Sequence, residues 1–303
     1  MILTQSPISF PNLGLKFNPP ISIPLGPLSI HFYGVIIALG LLLAVIYGLR
    51  RKEKFGLTEN DILDGVLWIV PMAIIGARLY YCIFKWDYYK LHPGDIIKIW
   101  DGGLAIFGAV IMAGICVVIH CLVKKIRITA VLDLTALGFM IGQAVGRWGN
   151  LINREAYGAQ TDFFLKMGLF QDADGRSTSI EYFYHPTFFY ESMWNLIGFV
   201  LLHFLSKKRQ YDGQIALGYV AWYGLGRTII EGMRTDSLYL GNFRVSQMLA
   251  AITCFLAVAA LLILCFFPHD RKKLFVNSRP VPVQAEAAEE AASQEENDAP
   301  VEE

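Results

Sequence analysis

The chain has 303 residues, of which 54% are hydrophobic and only 17% are charged, and its formal net charge at pH 7 is zero. Because soluble domains carry about 25% charged residues, this composition favours a membrane protein over a soluble one. No basic excess indicates a nucleic-acid-binding protein, and the five cysteines form no CxxC pair that would indicate a metal site or a disulfide framework.

The N-terminal segment is rich in proline. Prolines recur throughout residues 1–28 and exclude a continuous apolar helix there, so the sequence predicts no cleavable signal peptide. We therefore expect the first apolar helix to act as its own insertion signal.

Seven later stretches approach the roughly 20 apolar residues that a helix needs to cross a bilayer. They run near residues 32–49, 63–84, 104–123, 128–146, 189–206, 214–231 and 246–267. Thr58, followed by Asp61 three residues later, precedes the second stretch in a pattern typical of a helix N-terminus. The sequence therefore predicts an all-α polytopic membrane protein with seven transmembrane helices.

Basic residues follow every second predicted span. They are Arg50, Arg51, Lys52, Lys54, Lys124, Lys125, Arg127, Lys207, Lys208, Arg209, Arg271, Lys272 and Lys273. Because basic clusters beside membrane helices stay in the cytoplasm, this distribution predicts a cytoplasmic C-terminus and an N-terminus outside. The connections 85–103, 147–188 and 232–245 are then also expected outside.

Residues 1–275 are expected to form one membrane domain. The stretch 276–303 is rich in alanine, glutamate and glutamine and contains no aromatic residue. Because such a composition cannot bury a hydrophobic core, we expect a disordered, acidic cytoplasmic tail.

A polar stretch from Gly146 to Gly158 follows an apolar run and is expected where the fourth helix breaks or ends. It holds two arginines, two asparagines and a glutamate. An arginine within the bilayer costs roughly 2.5 to 3.5 kcal/mol on insertion scales, so this density of polar groups favours a functional site. Arginine presents paired donors that suit phosphate, which predicts a site for an anionic lipid head group. A helix end that merely reaches interfacial water is the alternative.

A second group of polar residues lies at the end of the sixth span. Arg227 and Glu231 are four residues apart, so they share one face of a helix and can pair, and Arg234 follows three residues later. A self-contained ion pair is the alternative. His185 could act as a general base or be an interfacial turn residue, and Tyr33 could line the site or anchor the first helix in the interface.

Other candidates carry less weight. Arg78 and Tyr80 could line the same cavity or reach the interface, the glycines of 101–108 favour close helix packing, and Asp133 lies where an acid near a helix N-terminus is common. A transporter or lipid flippase would also explain charges within the membrane. Two observations argue against a transporter. The sequence shows no repeated halves, and its polar groups cluster on one side of the predicted membrane.

Together these residues resemble the bacterial prolipoprotein diacylglyceryl transferase family. Residues 146–158 meet every fixed position of the family pattern G-R-x-G-N-x-x-N-x-E-x-x-G. The resemblance covers about residues 20–268. It includes the segments 31–34, 76–80, 101–108, 185–191 and 223–236.

The resemblance implies an enzyme of the bacterial cell membrane whose active site faces the extracytoplasmic side. The family transfers the sn-1,2-diacylglyceryl group of phosphatidylglycerol to the lipobox cysteine thiol of prolipoproteins. A thioether forms and glycerol 1-phosphate leaves, in the first step of bacterial lipoprotein maturation. The expected partners are therefore phosphatidylglycerol, the prolipoprotein signal peptide and the lipid bilayer, and no cofactor or metal is implied.

The resemblance also implies roles for single residues. Arg147 would bind the phosphate of phosphatidylglycerol, with Asn150 shaping the same pocket. Arg227 would stabilise the leaving phosphate or the thiolate, Glu231 would orient Arg227, and Glu155 would anchor the signature loop. The other implied site residues are Tyr33 and Tyr223 as catalytic candidates, and Asn153, Arg234, Gly158 and His185 as substrate-binding candidates.

One position departs from the family. Phe107 stands where many relatives have histidine or tyrosine, and phenylalanine cannot accept a proton. His185, Glu231 or water could then act as the base. Alternatively, nearby arginines could lower the pKa of the substrate thiol enough that no side-chain base is needed.

Overall fold

The computed structural model describes residues 6–25, 28–172, 179–235, 239–240 and 243–279. Long helices dominate this part of the chain and run back and forth between two ends. The helices are α1 (Phe32–Arg51), α2 (Glu59–Phe84), α3 (Trp86–Tyr89), α4 (Ile106–Val123), α5 (Ile128–Asn153), α6 (Thr187–Ser206), α7 (Gln214–Glu231), α8 (Val245–Cys265) and α9 (Phe275–Ser278).

Six of the described helices are long and apolar enough to cross a membrane, namely α1, α2, α4, α5, α6 and α8. The prediction of a polytopic membrane protein is confirmed at this level. The other long helix, α7, coincides with the sixth predicted span, but it carries Gln214, Arg227 and Glu231, which lower its hydropathy. Whether α7 crosses the membrane, and which side each terminus faces, stay predictions.

The start of α2 follows from the capping pattern seen in the sequence. The Thr58 hydroxyl accepts a hydrogen bond from the Asp61 backbone at 3.2 Å, and the Asp61 carboxylate accepts one from the Thr58 backbone at 2.8 Å. Two backbone N–H groups at the helix end are thereby satisfied, which fixes the first turn at Glu59.

Helix α5 continues past the point where a break was predicted. The fourth span was expected to end near residue 146, but α5 runs to Asn153 and carries Arg147 and Asn150 on its last turns. The helix closes at Arg154, whose φ of 55° lies in the left-handed region. Glycine brings this part of α5 against α1, because a Cβ at Gly149 would lie 2.5 Å from the Tyr33 ring. The prediction of an early break was therefore wrong.

The prediction of an all-α fold is also wrong outside the long helices, because the described residues include three small antiparallel sheets. The strands are β1 (Ile8–Phe10), β2 (Leu15–Phe17), β3 (Ser22–Leu25), β4 (Leu28–His31), β5 (Met167–Asp172), β6 (Ser179–Tyr184), β7 (Tyr239–Leu240) and β8 (Phe243–Arg244). The largest sheet has the order β2-β1-β5-β6, and β3-β4 and β7-β8 form hairpins. Strands this short carry too little alternation of apolar and polar residues to be recognised in a sequence.

The connections between the long helices gather at two ends of the molecule. The site end holds the three sheets and the connections after α2, α5 and α7. The basic end holds the connections after α1, α4, α6 and α8, and all four predicted basic clusters lie there. Hydrogen bonds tie these clusters together, since Arg209 donates to the Lys54 carbonyl at 2.8 Å and Arg127 donates to the Lys273 carbonyl at 2.8 Å.

Two hydrophobic cores support the two ends. The main core lies within the bundle and toward the basic end, and it contains Phe55, Leu57, Cys121, Ile126, Ala130, Leu134, Leu137, Met140, Leu202, Ile215 and Phe275. A smaller core lies beneath the largest sheet and contains Ile8, Leu151, Met167, Leu169, Tyr184 and Phe188. The second core fixes the sheet against the end of α5, where the polar stretch begins.

The described part of the chain extends beyond the predicted domain boundary at residue 275. Phe275–Ser278 form α9, and the side chains of Leu274 and Phe275 are buried. Packing of these residues therefore places 276–279 with the folded body. The rest of the predicted tail, residues 280–303, lies outside the described residues.

Candidate functional site

Three arginines and two glutamates meet at the site end, and we call this group the arginine cluster: Arg147, Arg227, Arg234, Glu191 and Glu231. They come from separate elements, namely the end of α5, the first turns of α6, the last turn of α7 and the turn after it. Each residue therefore reaches the group only because three helix ends converge. Both glutamates are almost fully buried.

Glu191 is the centre of the arginine cluster. Its carboxylate lies 2.5 Å from Arg147 Nη2, 3.2 Å from Arg227 Nη1 and 3.2 Å from Arg234 Nη1. The Glu231 carboxylate pairs with two of the same arginines, at 2.6 Å from Arg227 Nη2 and 4.0 Å from Arg234 Nε. Two carboxylates thus balance three guanidinium groups, and the formal charge of the cluster is one positive unit.

The arginines are less buried than their carboxylate partners. Their side chains are 20%, 17% and 10% exposed for Arg147, Arg227 and Arg234, whereas Glu191 is 4% exposed. The positive groups therefore form the accessible side of the cluster and the negative groups form its buried side. Such an arrangement can accept an anion with several oxygen atoms, because a guanidinium group offers paired donors to a phosphate.

Asn150 and Asn153 connect the arginine cluster to the loop after α5. Arg147 Nη1 lies 3.4 Å from Asn150 Oδ1, and Asn150 Nδ2 donates to Glu155 at 3.0 Å. Asn153 Nδ2 donates to the same Glu155 oxygen at 3.2 Å. Glu155 therefore holds both asparagine side chains, and through Asn150 it helps to orient Arg147.

Tyr33 and Tyr223 lie on helices that border the arginine cluster. The Tyr33 ring packs on Gly149, which lies two residues after Arg147 on α5. Tyr223 lies one turn before Arg227 on α7, and its ring stacks on Tyr219 with a centroid distance of 5.7 Å. The structure thus brings Tyr33 beside the signature helix, while the described ring contact of Tyr223 is within α7.

Gly158 joins two loops at the site end. Its backbone N–H donates to the His185 carbonyl at 2.9 Å, and the next residue, Ala159, donates to the Met233 carbonyl at 2.7 Å. A Cβ at Gly158 would lie 2.8 Å from His185 Cβ and 3.0 Å from the Met233 carbonyl oxygen. A side chain there would push apart the loops that carry Glu155 and Arg234, so these contacts give Gly158 a packing role.

The His185 ring contacts residues beside the arginine cluster. Its Nδ1 lies 3.2 Å from the Tyr190 hydroxyl, and its ring is near Phe163. Burial lowers the pKa of His185, which favours its neutral form. Tyr190 precedes Glu191, so His185 can influence the cluster through Tyr190, but the described contacts do not include one between His185 and an arginine of the cluster.

Two other arginines of the site end hold loops, and we call them the anchor arginines: Arg78 and Arg154. Arg78 is buried and donates to the backbone carbonyls of Asp95, Ile96, Lys98, Gly102 and Gly103. Arg154 is also buried and donates to the carbonyls of Ser6, Ile152 and Pro19 and to the Asn18 side chain. Arg78 therefore holds the loop 95–103, and the described contacts do not include one between Arg78 and the arginine cluster, so the prediction that it lines the same cavity is not supported.

Phe107 faces away from the protein. It lies in the first turn of α4, its side chain is 58% exposed, and its described ring contact is with Tyr80 at a centroid distance of 6.4 Å. The glycines around it behave as predicted, because a Cβ at Gly108 would collide with the Gly76 backbone of α2. Position 107 thus belongs to the outer surface of the α2–α4 pair.

Glu191 is the residue that sequence reasoning left out of the candidate site. It appeared only as part of a segment that resembles the family, although an acid within a predicted apolar span is by default a functional candidate. The signal was therefore available in the sequence. Its position at the centre of three arginines was not, because Glu191 is at least 36 residues from each of them in the chain.

Comparisons with known proteins identify a family for most of the chain. The family model described as prolipoprotein diacylglyceryl transferase matches residues 20–264. A phosphatidylglycerol–prolipoprotein diacylglyceryl transferase of Listeria welshimeri is 43% identical over 251 residues, which is 82% of this chain and 91% of the relative. One of Streptococcus equi subsp. equi is 44% identical over 247 residues, 79% of this chain and 92% of the relative. The matched region contains the arginine cluster and both anchor arginines.

Proposed function

The chain belongs to the prolipoprotein diacylglyceryl transferase family, and from this we propose that its arginine cluster binds the phosphate of phosphatidylglycerol during transfer of the diacylglyceryl group. The chain is an enzyme, a phosphatidylglycerol–prolipoprotein diacylglyceryl transferase. The rival interpretation, a transporter or flippase, gains no support, since every relative named above is a transferase.

The observation that carries the proposal is the convergence of three guanidinium groups on one buried carboxylate. Arg147, Arg227 and Arg234 all lie within 3.2 Å of Glu191. A phosphate diester has oxygen atoms that can take over these contacts on the accessible side. Donors that are already fixed in a region of low dielectric stabilise developing charge without reorganising, and this is the largest contribution in many enzymes.

The proposed reaction is a substitution at the glyceryl carbon that carries the phosphate ester. The sulfur of a prolipoprotein cysteine in the lipobox forms the new carbon–sulfur bond. The carbon–oxygen bond breaks and its electron pair leaves with glycerol 1-phosphate. Arg147 binds the phosphate throughout, and Arg227, held by Glu231, stabilises the charge that grows on the leaving group.

Glu191 is proposed to keep the arginines together when no lipid is bound. Three positive groups this close repel one another, and a shared carboxylate offsets that repulsion. When phosphate binds, it adds a second centre of negative charge on the opposite side of the guanidinium groups. Glu191 thereby pre-organises the site, and Glu155 does the same for Asn150 and Asn153.

The thiol proton is proposed to leave without a base at position 107. Phe107 cannot accept a proton, and its exposed side chain lies on the outer surface of α4. A thiol has a pKa of about 8.5, which nearby positive charge lowers. The excess positive charge of the arginine cluster thus favours the thiolate, and water takes the proton.

The proposed membrane arrangement is seven spans, with the site end outside the bacterial cell membrane and the basic end in the cytoplasm. The gathering of all four basic clusters at one end supports this orientation, because such clusters stay on the cytoplasmic side. The site end would then meet prolipoproteins as they emerge from the membrane. Labelling of single introduced cysteines at either end with a membrane-impermeant reagent tests the orientation.

The decisive experiment follows the transfer of labelled diacylglycerol from phosphatidylglycerol to a lipobox peptide by the protein in nanodiscs. Arg147→Ala is expected to reduce transfer by about 100-fold or more, because the phosphate loses a paired donor. Arg147→Lys keeps the charge but not the paired geometry and is expected to recover only part of the activity. Equal transfer by wild type and Arg147→Ala, at equal folded amount, would overturn the assignment of this site.

A further inference from the structure

The C-terminal residues form a clasp on the basic end, which we define as residues 270–279. Phe275 enters the main core, and its backbone N–H donates to Asp212 at 2.8 Å. Arg279 donates to Asp61 at 2.5 Å and to the Gly56 carbonyl at 3.1 Å. The clasp therefore fixes the point where residue 280 leaves the folded body, beside the connection between α1 and α2.

Gly56 permits the close approach of the clasp. Its φ of +73° lies in the left-handed region, and a Cβ there would lie 2.8 Å from Val276 Cα. The clasp begins beyond residue 264, where the family match ends. This attachment is thus a feature of the present chain that the family match does not cover.

The charge of the chain is divided unevenly between the body and the tail. Residues 280–303 contain eight of the 26 acidic residues and none of the 26 basic ones, so residues 1–279 carry eight more basic than acidic residues. The neutral total therefore conceals a positive body and a tail of equal and opposite charge.

The excess positive charge is concentrated on an exposed surface of the basic end, which we call the basic face. It consists of Arg50, Lys54, Lys125, Lys207, Lys208, Lys272 and Lys273. Asp212 pairs with Arg127 at 2.7 Å and Asp64 pairs with Lys124 at 2.5 Å, whereas the exposed acids Glu53 and Asp270 make no ion pair among the described contacts. The basic face thus has few acidic neighbours of its own.

We propose that the acidic tail, residues 280–303, is the partner that covers the basic face of the same molecule. The clasp fixes Arg279, the residue before the tail, at the edge of this face. The 24 residues of the tail can span at most roughly 80 Å, enough to cross the ends of neighbouring helices packed about 8–10 Å apart. Because the tail is tethered, its effective concentration at the face is in the millimolar range, so weak ion pairs suffice.

Covering the basic face has a consequence for the enzyme in its membrane. Anionic lipid head groups are the competing partners for exposed lysines at a membrane surface. The tail thus limits how much anionic lipid gathers at the end of the molecule opposite the arginine cluster. This inference concerns the basic end and does not rest on the proposed function.

The test measures how fast an amine-reactive acylating reagent modifies each lysine, by mass spectrometry, with the full chain in nanodiscs of neutral phosphatidylcholine. The comparison variant has a tail of the same length without charge: E286Q, E289Q, E290Q, E295Q, E296Q, D298N, E302Q and E303Q. Lys207, Lys208, Lys272 and Lys273 are expected to react about threefold faster or more in this variant. Lys16 and Lys85, at the site end, are matched internal controls and are expected to react at unchanged rates.

Salt provides a second arm of the test. At about 1 M salt the Debye length falls to about 3 Å, so the native chain is expected to react like the uncharged-tail variant. Equal rates for the two chains at low salt in neutral lipid would overturn the proposal. So would protection that appears only when phosphatidylglycerol is added and is the same with either tail, since lipid and not the tail would then cover the face.

Discussion

The arginine cluster and the anchor arginines are both buried groups of the site end, but they differ in the chemistry of their partners. Arg78 and Arg154 donate mainly to backbone carbonyls, which are neutral and fixed in place. The arginines of the cluster contact two carboxylates that they share. An arginine saturated by carbonyls holds a loop, whereas arginines that share too few carboxylates keep the capacity to bind an anion.

The comparison also shows why arginine content alone does not locate a site. Arg147 and Arg154 lie in the same signature segment, seven residues apart. Arg147 points into the arginine cluster, while Arg154 turns toward the N-terminal segment because the backbone reverses at its left-handed φ of 55°. Two arginines of one short segment therefore have different partners, a carboxylate for Arg147 and mainly backbone carbonyls for Arg154.

The sharpest test of this comparison replaces a cluster arginine by lysine. Arg227→Lys is expected to lower kcat for diacylglyceryl transfer by about 100- to 1,000-fold, because one point charge replaces two donors that face Glu191 and Glu231. The measurement is transfer to a lipobox peptide at saturating phosphatidylglycerol. The thermal unfolding temperature is expected to change little, and a large fall in stability with activity retained would place Arg227 among the anchors.

Removal of the shared carboxylate charge is expected to have the next largest effect. Glu191→Gln keeps the size of the side chain but leaves three guanidinium groups with one carboxylate, so they lose their common orientation. We expect kcat to fall by about tenfold or more while KM for phosphatidylglycerol does not rise, because the site becomes more positive. Glu191→Asp is expected to restore part of kcat. An unchanged kcat with a raised KM would contradict the positioning role.

Loss of an anchor arginine is expected to affect stability more than catalysis. Arg78→Ala leaves several backbone carbonyls without their donor, and each buried unsatisfied group costs about 1–3 kcal/mol. The thermal unfolding temperature in nanodiscs should therefore fall, while transfer per folded molecule stays within about threefold of wild type. A variant of normal stability that lacks activity would instead bring Arg78 into the catalytic site.

The smallest effect is expected at the position that departs from the family. Phe107→His places a titratable ring on the outer surface of α4, away from the arginine cluster. Transfer is expected to stay within about threefold of wild type, with the same dependence on pH, since no proton passes through this position. A new acidic limb in the pH profile, with faster transfer at high pH, would assign a base to position 107.

Several elements of the fold could be predicted from the sequence because their signals are local. Six of the seven predicted apolar stretches are helices long and apolar enough to cross a membrane, and the Thr58–Asp61 pattern predicted the start of α2. The spacing of Arg227 and Glu231 gave their ion pair, since residues four apart share a helix face. Each of these depends on residues within a few turns of one another.

The features that the sequence did not predict depend on contacts between distant parts of the chain. The sheet that joins β1 to β5 pairs residues about 160 positions apart, and its strands are too short to show a pattern. Helix α5 continued past a glycine-rich segment because Gly149 fits against Tyr33, a contact made by another helix. The sequence could not show that Arg78 donates to the backbone carbonyls of the loop 95–103, because that loop lies 17 or more residues further along the chain.

Composition and apolar length by themselves indicated a polytopic membrane protein, the order of polar and basic stretches placed arginines at one end and basic clusters at the other, and the resemblance of residues 146–158 to a known family implied the enzyme. Tertiary structure alone decided which arginines gather around Glu191 and which saturate backbone carbonyls. The physical reason is that a guanidinium group has the same chemistry at every position in a sequence. Its role depends on which acceptors the fold brings within hydrogen-bond distance, and those acceptors come from distant parts of the chain.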